Sequence, residues 1–216
     1  MSAKLKLGVL ISGRGSNLQS LIDATQDDSF PAEIVSVISN VPDVAGLDRA
    51  AKVDIPTSVI NHKDFSGREP FEDALHEALT EAGVELVCLA GFMRILTDGF
   101  VSRWLDKMIN IHPSLLPSFK GLHTHERAIE AGVRFSGCTI HFVRPEMDDG
   151  PIIAQAAVPI RQDDSPDTLA GRVLVEEHKI YPLAVKMIAE GRVSISGSQV
   201  IVKNAVNPDS TTINPA

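Results

Sequence analysis

Cysteine is scarce in this 216-residue chain: only Cys88 and Cys138 occur, both inside apolar runs. Two buried thiols are the expectation, and a disulfide framework is set aside. Basic residues are in deficit, with 20 Lys and Arg against 28 Asp and Glu and a formal net charge of −8. That balance argues against a broad nucleic-acid footprint, which needs clustered cations. It leaves room for a local phosphate site, which needs only a few backbone N–H groups and a helix end. Long apolar runs are missing too. The run Leu5–Ile11 is broken by Ser12-Gly13, too short for a signal-peptide core, and nothing approaches the ~20 apolar residues of a membrane span. A soluble, cytoplasmic protein is predicted, with no membrane partner. There is no internal repeat and no low-complexity block.

What is present is ordinary globular composition, 44% hydrophobic and 22% charged, at a length suited to one α/β domain. Short β-rich runs alternate with helical stretches. Strands are predicted at Leu5–Ile11, Ile34–Ser39, Thr57–Ile60, Leu86–Ala90 and Met108–Ile111. Helices are predicted at Asn17–Thr25, Ala45–Lys52, Gly67–Ala82 and Phe100–Leu105. This alternation predicts an α/β fold: a three-layer, mostly parallel sheet with helices on both faces. Later the rhythm changes. Gly137–Val143 and Ile152–Ile160 are β-rich with only a loop between them, which suggests an antiparallel pair, and Thr168–Glu190 reads as one long helix. The tail from Asn204, rich in Asn, Pro, Ser and Thr, reads as frayed.

Two constellations carry chemistry. Gly13-Arg14-Gly15-Ser16-Asn17 lies between the first strand and the first helix, where α/β folds seat phosphates. It is no dinucleotide fingerprint, because Leu18 stands at the third glycine position and Asn40, not an acid, ends the second strand. The rival reading is an ordinary tight turn with Ser16 or Asn17 capping the helix. Asn110-Ile111-His112-Pro113 closes a strand, and alternation puts Asn110 and His112 on one face. A carboxamide and an imidazole at a strand's carboxyl end suit oxyanion stabilisation and proton transfer. A structural histidine locking the turn at Pro113 is the competing account. Asp148, in Asp148-Asp149-Gly150-Pro151, would favour imidazolium if it lay beside His112. His123-Thr124-His125 lacks a third ligand at a telling spacing, so a structural or substrate-side role is preferred to a metal. Arg94, at another strand end, is a stronger anion candidate than Arg68.

Gly8–Asn17, Gly91–Leu96, Asn110–Pro117, Gly121–His125 and His141–Pro151 together resemble the phosphoribosylglycinamide formyltransferase family, folate-dependent enzymes of purine synthesis. The likeness runs from about Leu5 to Arg192. It implies a Rossmann-like formyltransferase domain over 1–204, with a phosphate-binding half to about 105, a catalytic and folate half after it, and a tail at 205–216. It further implies that Asn110, His112 and Asp148 are catalytic, and that Gly15, Ser16, Asn17 and Glu177 bind the glycinamide ribonucleotide. Arg68, Met93, Arg94, Ile95, Leu96, Arg144 and Met147, with Asn110 and Asp148, would bind 10-formyltetrahydrofolate as cosubstrate, with no metal. Arg14, Asp149, Arg144 and Pro145 depart from the family pattern. A monomer or homodimer acting on small molecules is implied. A deformylase-type hydrolase is the alternative, expected to carry a further N-terminal domain; an initiator-tRNA formyltransferase would carry a C-terminal one.

Overall fold

The structure, a computed structural model, describes residues 3–206 and 210–215. Among them the elements run β1 (Leu5–Ile11), α1 (Ser16–Thr25), β2 (Ala32–Ser39), α2 (Ala45–Ala51), β3 (Thr57–Val59), a 3-10 turn (His62–Asp64), α3 (Arg68–Glu81) and β4 (Leu86–Leu89). There follow α4 (Asp98–Arg103), β5 (Met108–His112), α5 (Thr124–Glu130), β6 (Phe135–Phe142), β7 (Ile152–Pro159), α6 (Pro166–Ala189), β8 (Val193–Ser196) and β9 (Gln199–Val202).

The sheet order is β3-β2-β1-β4-β5-β6-β7. β1 through β5 pair in parallel, and β6–β7 is the antiparallel pair. The chain steps outward from β1 through α1 and α2, and then back the other way through α3 and α4, and parallel crossovers of this kind are right-handed as a rule. That reversal puts α1 and α2 on one face and α3 and α4 on the other, in keeping with the α1–α2 and α3–α4 contacts. It also makes β1 and β4 neighbours at the switch point, where α/β sheets bind ligands beyond the strand ends.

Contacts cluster into two units. The first is Met1–Asn110 with Phe142–Pro145; the second is Ile111–His141 with Glu146–Ala216. In the first, α3 presents Phe71, Leu75 and Leu79 at four-residue spacing, all at most 2% exposed. They join Leu10, Val87, Phe100, Trp104 and Met108 in one core, each large side chain worth about 1.5–3 kcal/mol of transfer free energy. β4 is buried at every position, so it reads apolar on both faces. In the second unit α6 runs 24 residues from a capping box: the Ser165 hydroxyl accepts from Thr168 N, and Thr168 Oγ1 accepts from Ser165 N.

Several expectations need correction. α1 is capped by Gly15, in the left-handed conformation at φ 68°, and not by the side chain of Ser16 or Asn17. α5 has no counterpart among the predicted helices, because only Thr124 and Ala128 bury a face on it. The β8–β9 hairpin is likewise additional to the predicted strands, although Val-Ser-Ile-Ser and Gln-Val-Ile-Val alternate around Gly197-Ser198. In the tail, residues 207–209 and 216 fall outside the described residues. At 214 the chain is tied down: the Asn214 amide donates to Arg134 O (2.6 Å) and Ile160 O (2.9 Å).

Candidate active site

β5 sets Asn110 and His112 two residues apart on one strand, with Asn110 partly and His112 almost fully buried. The loop after it is held by β6 and β7. Thr139 Oγ1 donates to Ser114 O (2.7 Å) and accepts from Leu116 N (3.1 Å), and Gln155 Nε2 donates to Leu116 O (2.9 Å). This anchored loop brings the Phe119 carbonyl to 3.1 Å from His112 Nε2. Across the ring, Nδ1 lies 3.4 Å from Asp148 Oδ2. Both ring nitrogens therefore face oxygen acceptors, and only the doubly protonated imidazolium can donate to both.

Asp148 is itself fixed. Its backbone is left-handed at φ 53°, a conformation that Asp tolerates better than most residues. Its Oδ2 accepts from Gly121 N (2.8 Å), and His141 Nε2 lies 3.9 Å from its Oδ1. Only 11% of the Asp148 side chain is exposed, so its charge acts on the ring with little water between them. Asp149 turns to a different partner, the Lys120 ammonium. On α5, burial and then the neighbouring His112 hold His125 below the usual imidazole range.

In the first unit the glycine turn is packed against α2. A Cβ on Gly15 would fall 2.7 Å from Gly46 Cα, and one on Gly46 would fall 2.5 Å from Ile11 Cδ1. Gly15 leaves no room for a side chain and Gly46 only tight room, so the turn and α2 meet backbone to backbone. Behind the turn, the Ser12 hydroxyl donates to Asn40 Oδ1 (2.5 Å) and accepts from Met93 N (2.7 Å). His62 Nδ1 lies 3.1 Å from Asn40 Nδ2. Ser12 directly follows β1 and Asn40 directly follows β2, so a polar residue just past each strand end is the sequence signal for this cluster.

Beyond β4, Met93 and Ile95 are exposed at 69% and 68%, whereas Leu96 is 9% exposed and belongs to the core. A cavity of about 540 Å³ beside them is lined in part by Arg68, Ile95, Leu96, Thr97 and Phe100. Buried Glu72 receives Thr97 N (2.8 Å) and the Thr97 hydroxyl, fixing the end of this segment. Arg94 Nε is enclosed without a hydrogen-bond partner among the described residues. Arg144 is engaged elsewhere, by Asp106 (2.6 Å) and the Val143 carbonyl. Met147 is half exposed. Glu177 is buried on α6, where its charge adds to burial in raising the Cys138 thiol to about 12.

Against known proteins, residues 5–185 match the formyl transferase family. The chain is 54% identical over 192 residues to the trifunctional purine biosynthetic protein adenosine-3 of Bos taurus, covering 89% of this chain but only 19% of that protein. It is 44% identical over 205 residues to the phosphoribosylglycinamide formyltransferase of Haemophilus influenzae, covering 95% of this chain and 97% of the other. Among solved structures, glycinamide ribonucleotide transformylase 1 from Symbiobacterium toebii superposes with a TM-score of 0.91 at 42% identity, covering 94% and 95% of the two chains. With that fold, that sequence and an imidazole held between a carboxylate and a carbonyl, the chain belongs to the formyl transferase family.

Proposed function

We propose that the chain transfers the formyl group of 10-formyltetrahydrofolate to the amine of N1-(5-phospho-D-ribosyl)glycinamide, in purine nucleotide biosynthesis. The observation that carries this is His112, whose two ring nitrogens face Asp148 and the Phe119 carbonyl. The neutral amine attacks the formyl carbon, a carbon–nitrogen bond forms, and the carbonyl oxygen takes up negative charge. The Asn110 amide and the His112 imidazolium stabilise that oxyanion, while Asp148 keeps the imidazolium charged. Collapse breaks the bond to the folate nitrogen. The proton lost by the amine reaches that nitrogen through His112 or a bridging water, so the products are the formamide and tetrahydrofolate.

Gly15, Ser16, Asn17 and Glu177 are assigned to the ribonucleotide, and Arg68, Met93 to Leu96, Arg144, Met147 and Asp148 to the folate. The whole of 1–204 acts as one functional domain. The test is formyl transfer to glycinamide ribonucleotide, with water and initiator tRNA as competing acceptors. His112→Ala is expected to lower kcat by about 10²–10⁴-fold with the fold intact by circular dichroism. Undiminished turnover by a folded His112→Ala protein would sink the mechanism. Formate release to water in preference to transfer would make the chain a hydrolase.

A further inference from the structure

The outer side of the glycine turn makes contacts that formyl transfer itself does not use. Gly46 N donates to Gly13 O (3.1 Å), and Arg49 Nε donates to Arg14 O (2.9 Å). Arg49 Nη1 also donates to Gln19 Oε1 (3.0 Å) on α1, and Gln19 N closes the first helical turn on Gly15 O (2.9 Å). A peptide unit is planar and trans, so its C=O and N–H point in opposite directions. With Gly13 O held by α2, the N–H of Arg14 is aimed away from that helix. With Arg14 O held by Arg49, the N–H of Gly15 is aimed away from the guanidinium. These two amides thus extend the row that opens α1, whose first N–H groups no helical carbonyl reaches.

We propose that Arg49 is a positioning residue for the phosphate seat: it fixes the Arg14–Gly15 peptide so that its amide faces the phosphate of the amine substrate. The proposal rests on the formyl-transfer assignment for the identity of that substrate. Arginine suits the task because its planar fork offers separate donors, one to the turn and one to α1. Lysine brings one compact ammonium on a flexible stem, without that fixed fork.

The test compares wild type, Arg49→Ala and Arg49→Lys. Formyl transfer is measured with each substrate varied in turn, and binding of inorganic phosphate is measured by calorimetry. Loss of a hydrogen bond from a charged donor predicts about a tenfold rise in KM for glycinamide ribonucleotide in Arg49→Ala. Its kcat and folate KM should stay near wild type, phosphate binding should weaken in parallel, and Arg49→Lys should recover part of the loss. Unchanged ribonucleotide KM and phosphate affinity in Arg49→Ala would overturn the proposal. So would equal losses for both substrates with a lower melting temperature, which mark a general packing role. If wild type fails to use glycinamide ribonucleotide, the formyl-transfer assignment falls, and the phosphate titration alone then decides the role of Arg49.

Discussion

Asp148 can be tested cleanly because its backbone tolerates the obvious substitution. Asparagine accepts the left-handed conformation as readily as aspartate, so Asp148→Asn keeps the loop and the shape while removing the charge at 3.4 Å from His112. With a neutral group there, the imidazolium loses its counter-charge. Turnover should fall by roughly 10²-fold or more, read from kcat with the fold checked by circular dichroism. A folded variant with the wild-type kcat would free Asp148 of its assigned role. Asp149, next in the chain, is expected to matter far less, because it faces Lys120 instead of the ring.

At the scale of elements, the entry to α6 has a clear electrostatic lock. The Arg172 guanidinium donates to both oxygens of Asp164, at 2.7 and 2.5 Å, and the Asp164 side chain is only 3% exposed. That bonding holds the Asp164 carboxyl well below the usual carboxylate range, helped by the Arg161 amide and the Thr168 hydroxyl. A carboxyl lowered in the folded state stabilises above its unfolded pKa of about 3.9, and the contribution fades as pH falls below that. Asp164→Asn should therefore cost about 1–3 kcal/mol at neutral pH, measured by urea denaturation, and the gap to wild type should close in acid. The same helix shows what the sequence made legible. Pro166 after Asp164-Ser165 marks the start of α6, and the spacing of Phe71, Leu75 and Leu79 marks α3. By contrast, α5 is short and buries little, so no period stands out. The cap of α1 is a glycine conformation, and a residue letter does not display that. Asn110 and His112 could be paired from strand alternation alone. Asp148 could not, because 36 residues and a folded loop separate it from His112, and loop closure has no signature in local pattern.

For the molecule as a whole, the two cysteines make convenient reporters, since Cys88 belongs to the first unit and Cys138 to the second. Both side chains are fully buried. Burial, followed by the charges of Glu177 and Glu176, pushes the Cys138 thiol up to about 12, so almost none is present as the reactive thiolate. Neither thiol should react with an aromatic disulfide reagent at pH 8 until urea unfolds the chain. In Cys88→Ser and Cys138→Ser proteins, the remaining thiol then reports the opening of its own unit. Rapid labelling of either native protein would contradict the burial described. The glycine turn has a different kind of consequence. On the proposed assignment, a phosphate seated on backbone amides has few side-chain contacts to trim, and a phosphonate inhibitor resting there would offer little for a resistance substitution to remove directly. Change must come through the scaffold, at tightly packed Gly15 and Gly46 or at a supporting residue such as Arg49. On the proposed assignment, drift in ligand preference falls less readily on the phosphate end than on residues that present side chains.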